Sequence, residues 1–358
     1  MSVPLPLRSL VSAAVAALLL ASCAGSGGSS GASSSGSTTT PEEEATTTAD
    51  AGDAAPVPSA GCGKTTVLSV VEEKTYLDDS NRWFLLSTPL THDGTTPVPL
   101  VPDFHGLSEG AELHARMSDL AAYGDDHGFA VVQPQGEGDP TRWQVKADIA
   151  RNDDLQFVSE LLDQLEAKLC IDTSRVYATG LSNGAIMSSL LACTMSDRFA
   201  AVAPVAGVVH PDGCEQSRPV PILAIHGTAD PILLFNGGIG SQLSNLLSDG
   251  DASASSGEQP AEADLDGPGY PAAAQEWATS NGCTGDPTDE DLTDTVIERT
   301  WACPADADVE FVIVEGGGHS WPGSTFSEAA ERFIGPTDMS IDANDLIWDF
   351  FSRFALPR

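Results

Sequence analysis

The segment Gly180-Leu181-Ser182-Asn183-Gly184 constrains this chain more than any other. Ahead of it runs Arg175-Val176-Tyr177-Ala178-Thr179, a β-branched and aromatic stretch that predicts a buried strand. Behind it runs Ala185-Ile186-Met187-Ser188-Ser189-Leu190-Leu191-Ala192, a good helix former. A serine on so tight a strand-to-helix turn is pushed outward, with its hydroxyl at the helix N-terminus. Glycines two residues to either side leave room for the neighbouring strand and helix. The pentapeptide pattern by itself is weak, because Gly27-Gly28-Ser29-Ser30-Gly31 also fits it inside a serine-rich tract with no strand or helix around it. Its flanks give the match at 180–184 its meaning.

Around that turn, apolar runs alternate with helical patterns. Strands are expected at 66–71, 83–88, 98–104, 129–133, 175–180, 200–205, 220–226 and 309–314, and helices at 111–123, 153–169, 183–195, 270–280 and 343–354. The alternation predicts an α/β protein with a mostly parallel central sheet and helices on both faces. In such folds the chemistry sits at the carboxyl ends of the parallel strands. Residues 61–358 suffice for one large domain. One segment breaks the rhythm: 236–269 is rich in Gly, Ser and Asp, with a short apolar patch at Leu243, Leu246 and Leu247. Insertions of this kind are lids, binding loops or disordered stretches; disorder is expected over 248–266.

The N-terminus carries Arg8, an apolar run from Leu10 to Leu20, and then Leu20-Ala21-Ser22-Cys23. Residues 1–22 have the form of an export signal, too short to remain as a membrane span. The four-residue ending resembles a bacterial lipobox, which would make Cys23 a lipidated mature N-terminus; ordinary cleavage nearby is the alternative. Residues 23–60 hold almost nothing large and apolar, so a disordered tether is expected. Beyond Cys23 there are six cysteines, Cys62, Cys170, Cys193, Cys214, Cys283 and Cys303, an even number that favours disulfides in an exported chain. They allow 15 pairings; proximity suggests Cys193–Cys214 and Cys283–Cys303, leaving Cys62 for Cys170. No Cys-x-x-Cys or His-Glu-x-x-His motif is present, so no metal is expected. With 16 Lys and Arg against 52 Asp and Glu, the net charge of −36 disfavours nucleic acid and anionic headgroups, leaving the lipid anchor as the membrane contact.

A serine hydroxyl needs an adjacent base and an acid to orient that base. Strand-to-helix serines of this type find them downstream, in the order acid then histidine, each on a loop after a strand. Pro221-Ile222-Leu223-Ala224-Ile225 leads into His226-Gly227-Thr228-Ala229-Asp230, which makes Asp230 the acid, with Asp212 its rival. Val309-Glu310-Phe311-Val312-Ile313-Val314 leads into three glycines and His319, one of 7 histidines and the only one after Asp230. Backbone N–H groups of Asn183 and Leu107 are the candidate oxyanion donors, with Gly106 second to Leu107. His92, His114 and His127 are expected to be solvated. His105 and His226 precede glycines at strand ends, where they are expected either to help shape the site or to play a plain structural role. Trp321, two residues past the histidine, and Trp143, in a loop after 129–133, are candidate substrate-binding residues together with His105.

Taken together, several segments resemble the esterase family of polyhydroxybutyrate depolymerases, feruloyl esterases and acetyl-xylan esterases. They are Phe104-His105-Gly106, the run from Asp126 to Gly136, Asp153-Asp154, Gly180 to Gly184, Asp197 to Gly207, His226 to Asp230, and Gly317 to Gly323. The resemblance implies an α/β-hydrolase fold, a Ser-His-Asp esterase and no cofactor. The expected substrate is a small-molecule or polysaccharide-linked ester of short-chain, acetyl or feruloyl type. A polyhydroxyalkanoate depolymerase and a non-catalytic surface protein on the same scaffold are the alternatives.

Overall fold

The computed structural model describes residues 55–64, 73–78, 80–147, 151–241, 243 and 262–357. The expected signal peptide, Cys23, most of the tether and the 66–71 strand lie outside the described residues, as do Leu246, Leu247 and 248–261.

Among the described residues ten strands make one sheet. In chain order they are β1 (Glu73–Tyr76), β2 (Trp83–Ser87), β3 (Val98–Phe104), β4 (Ala130–Pro134), β5 (Ile171–Leu181), β6 (Ala201–Val205), β7 (Ile222–Gly227), β8 (Thr284–Thr293), β9 (Val296–Ala302) and β10 (Val309–Val314). Across the sheet the order is β1-β2-β4-β3-β5-β6-β7-β10-β9-β8. The six central strands, from β4 to β10, run parallel. Both margins are antiparallel. The central strands read as continuous apolar runs because both faces are covered. On β10, Val309, Phe311 and Ile313 join one core cluster, while Val312 and Val314 join the other.

Helices close each face. Helices α3 (Asp153–Lys168), α4 (Asn183–Thr194) and α5 (Tyr270–Ser280) cover the first. The second is covered by α2 (Leu120–His127) and α8 (Ala343–Phe351), with Tyr177 of β5 stacked 4.6 Å from Phe351. The helix expected at 111–123 is two helices, α1 (Ala111–Ser118) and α2, broken at Asp119, whose φ of 48° ends the first. Asp is one of the few residues with a Cβ that visit this left-handed conformation routinely as single residues. Two more short helices, α6 (Thr325–Ala329) and α7 (Glu331–Ile334), follow β10.

The β8–β9 hairpin and β1 were not expected from sequence. Strand β8, Thr-Gly-Asp-Pro-Thr-Asp-Glu-Asp-Leu-Thr, is exposed along nearly its whole length. Neither of its faces packs on a core, so no apolar alternation marks it, and its charges suit a sheet edge. The expected domain start is corrected as well. Val57 N–H donates to Asp172 Oδ1 (2.8 Å) and Ser59 N–H to Ile171 O (2.8 Å), so residues assigned to the tether are fastened to the start of β5. Within the insertion, 262–266 is ordered rather than disordered. Asn236 accepts from Asp264 N–H (2.9 Å) and donates to Asp264 O (2.7 Å), which pins the two ends of the loop together.

Three disulfides join Cys62–Cys170, Cys193–Cys214 and Cys283–Cys303, the pairing that proximity suggests. They belong to an oxidising compartment outside the cytoplasm. The first spans 108 residues and the third 20. Loop closure then contributes about 4.7 kcal/mol for the long loop against about 3 kcal/mol for the short one. Replacing both Cys62 and Cys170 by Ser is expected to lower the urea midpoint more than replacing both Cys283 and Cys303, as read by circular dichroism under non-reducing conditions.

Candidate active site

Ser182 follows β5 and stands at the N-cap of α4 with φ 58° and ψ −116°, a backbone state that residues with a Cβ seldom adopt. Such a conformation costs about 1–3 kcal/mol and persists only where its surroundings enforce it. Here Ser182 N–H donates to Val205 O (2.9 Å), and Ser182 O accepts from Ile186 N–H (3.0 Å), tying the turn to β6 and to the helix. A Cβ at Gly180 or Gly184 would run into the Phe104 carbonyl oxygen at the end of β3. The two glycines therefore let β3 lie directly against the turn.

The ends of β7 and β10 are adjacent, and they bring Asp230 to His319. Asp230 Oδ2 lies 2.7 Å from His319 Nδ1. Its Oδ1 accepts from Ile232 N–H (2.8 Å) and Leu233 N–H (2.9 Å). The carboxylate is fully buried. Burial alone would raise its pKa. The His319 imidazole, and after it His226, whose Nε2 lies 3.2 Å from Oδ2, reverse that and hold the carboxyl far below the usual carboxylate range. His226 is fixed in turn by Leu233 O (3.0 Å) and by the Tyr270 ring stacked at 3.7 Å. The rival acid Asp212 is exposed. His319 is 5% exposed and Ser182 8%. Among the described residues Ser182 and His319 are not hydrogen-bonded to each other; both stand at carboxyl ends of the parallel strands.

The loop after β3 completes the arrangement. Gly106 packs so that a Cβ there would sit 3.5 Å from Ser182 Cβ. Its N–H is taken by Glu109 Oε2 (2.5 Å), which removes Gly106 as an oxyanion donor. Among the described residues the N–H of Leu107 has no acceptor. Neither does that of Asn183, the first residue of α4, where an N–H has no intrahelical partner. Gly106 O lies 2.7 Å from His105 Nδ1, and His105 Nε2 accepts from Gly136 N–H (2.9 Å), so the ring proton sits on Nδ1 and is donated to Gly106. Burial pushes His105 down to about 4, which keeps the ring neutral.

The three residues expected to contact substrate are packed away. His105 is 0% exposed, and Trp143 and Trp321 are 1% exposed. Trp143 exchanges hydrogen bonds with the Asn183 side chain (2.6 and 3.2 Å), and its indole N–H donates to His105 O (2.9 Å). Trp321 donates to Asn344 Oδ1 (3.1 Å). These side chains pack behind the strand ends and tie the loops there together. Two of the three histidines expected to be solvated are also buried, His92 and His114; His127 is exposed. His114 Nε2 lies 2.6 Å from Asp103 Oδ1, and its Nδ1 3.4 Å from Glu109 Oε2. Ser118 Oγ (2.7 Å) and Gln133 Nε2 (2.9 Å) donate to Asp103 Oδ2. The signal missed in the sequence is Asp103 itself, a carboxylate inside the apolar strand Val-Pro-Leu-Val-Pro-Asp-Phe; a buried acid needs a buried partner.

Fold and site together define an α/β-hydrolase. An acetyl xylan esterase from Aspergillus awamori shares the fold, with a TM-score of 0.52 at 13% identity over 78% of this chain and 98% of that one. The family model described as Esterase PHB depolymerase matches residues 90–242. Feruloyl esterase B of Piromyces equi is 26% identical over 77% of this chain, which spans 46% of that protein's length. The putative esterase NocK of Nocardia uniformis subsp. tsuyamanensis is 31% identical over 70% of this chain and 73% of its own length. The chain belongs to this polyhydroxybutyrate depolymerase and feruloyl esterase family.

The buried histidine behind the loop has a measurable consequence. Although burial opposes its charge, Asp103 and then Glu109 raise His114 from 6.5 to about 10. A raised histidine contributes stability in full below its unfolded value and loses it as pH climbs through the folded one. Wild-type Tm is therefore expected to fall between about pH 7 and pH 10, and His114→Gln to flatten that fall, as measured by calorimetry across the range.

Proposed function

We propose that this protein is a serine esterase that hydrolyses carboxylic esters through an acyl-enzyme. The observation that carries the reading is the buried Asp230–His319 hydrogen bond of 2.7 Å, on the same rim of strand ends as the strained Ser182. In this reading His319 Nε2 takes the Ser182 proton as Oγ attacks the ester carbonyl. Asp230 orients the ring and stabilises the imidazolium that forms. The N–H groups of Asn183 and Leu107 receive the oxyanion of the tetrahedral intermediate. His319 returns its proton to the leaving alcohol; water then attacks the acyl-enzyme by the same route in reverse. Removal of Ser182 or His319 by substitution with Ala is expected to lower kcat by roughly 10⁴ or more, and Asp230→Asn by about 10⁴. Wild-type turnover of p-nitrophenyl acetate by Ser182→Ala would end the assignment.

For the substrate we propose soluble, neutral esters of short-chain, acetyl or feruloyl type. The names of the relatives support this choice, and a net charge of −36 disfavours anionic polymers. Polyhydroxyalkanoate is the second reading, favoured by the description of the matching family model. Rates on p-nitrophenyl acetate, methyl ferulate, acetylated xylan and polyhydroxybutyrate granules separate the two; hydrolysis confined to granules would overturn the first. We also propose that Cys23 carries a lipid anchor, on the strength of Leu20-Ala21-Ser22-Cys23. Cys23→Ala is expected to move the protein from the membrane fraction to the soluble fraction.

A further inference from the structure

We infer that Glu109 is a positioning residue of the oxyanion-stabilising loop, fixing the backbone at Gly106 so that the Leu107 N–H faces the reaction centre. The inference rests on the esterase reading above and adds to it a residue that does not touch substrate. Two peptide planes meet at Gly106. The N–H of the first is held by Glu109 Oε2 at 2.5 Å. The carbonyl of the second accepts from His105 Nδ1–H (2.7 Å) and from Glu109 N–H (3.3 Å). In a planar trans peptide the C=O and N–H point in opposite directions. Drawing the Gly106 carbonyl toward His105 and Glu109 therefore turns the Leu107 N–H away from them, on a loop that lies against Ser182. Glu109 thus grips both sides of one residue, with its carboxylate on the N–H and its backbone on the carbonyl.

The expense of the grip argues for its purpose. The Glu109 side chain is only 7% exposed, and a buried carboxylate costs several kcal/mol unless it is paired. Its partner is the fully buried His114, whose other nitrogen is held by Asp103 at the end of β3. Asp103 is itself gripped by Ser118 of α1 and Gln133 of β4. An imidazole between two carboxylates, bonded to Asp103 at 2.6 Å and 3.4 Å from Glu109, thereby links the loop to β3, β4 and α1. A loop with only a structural task could be closed by neutral hydrogen bonds at less cost.

The test measures kcat and KM of Glu109→Ala, Glu109→Met and Glu109→Gln on p-nitrophenyl acetate. It adds the preference for an oxoester over the matching thionoester, whose sulfur is a poor acceptor for an oxyanion hole. Removing an oxyanion donor outright costs about 10²–10³ in kcat, so misaiming one is expected to cost about 10- to 100-fold. KM should stay within about twofold, and the oxo-to-thiono preference should fall in Glu109→Ala and Glu109→Met. Glu109→Gln, which keeps an acceptor for Gly106 N–H, should recover most of both. Glu109→Met preserves bulk and gives the answer where Glu109→Ala does not fold. An unchanged kcat, or a lower one with the wild-type oxo-to-thiono preference, overturns the inference. Ser182→Ala is assayed alongside: if it stays active the esterase reading fails, whereas an inactive Ser182→Ala beside wild-type-like Glu109 variants sinks only the role of Glu109.

Discussion

Everything at the candidate site depends on how closely β3 approaches the turn between β5 and α4. With hydrogen in place of a side chain at Gly180 and Gly184, the Phe104 carbonyl lies against that turn. The same approach carries His105, Gly106 and Leu107, the residues that continue β3, to the side of Ser182. The strained φ of 58° at Ser182 is sustained by this packing and by the bond to Val205 on the other side. Serine, the loop after β3 and helix N-terminus are thus one mechanical unit, anchored in the six parallel strands.

Electrostatics adds a second theme. The chain has 52 acids against 16 Lys and Arg, yet the carboxylates buried at the rim are matched to histidines. Asp230 is shared by His319 and His226. Asp103 and Glu109 share His114. A protonated imidazole offers two donors in a rigid ring, so one histidine can join two elements while neutralising a carboxylate between them. The outward face of the protein, β8 above all, carries the acids that have no such task.

Much of the fold was legible because buried parallel strands leave uninterrupted apolar runs. Seven of the eight expected strands fall within the described residues, and each is present with small shifts at its ends, as are all five expected helical segments, one of them split at Asp119. Most of the elements that escaped bury little, namely β1, β8 and the short helices α6 and α7, whereas β9 buries Val296 and Trp301 in a run broken by Glu298 and Arg299. Their sequences answer to neighbours far along the chain rather than to a local period. Asp230 and His319 were legible for a related reason, since a polar residue just beyond an apolar strand must lie at the sheet's carboxyl edge.

The misreadings at the site concern where side chains point. Trp143, Trp321 and His105 lie where the sequence places them, at the ends of strands or in loops, but all three turn inward to hydrogen-bond partners up to about forty residues away. His114 lies on α1, and only the packing of α1 on β3 and β4 shows that it faces Asp103 and Gln133. The sequence by itself determined the class of sheet, the elbow serine and the order of acid and histidine, because these follow from periodicities and loop positions along one strand or helix. The orientation of the aromatic walls, the loss of Gly106 as a donor and the ionic brace behind Leu107 were decided only by tertiary structure. They depend on which groups from separate segments come within about 3 Å of one another, a distance that no local pattern encodes.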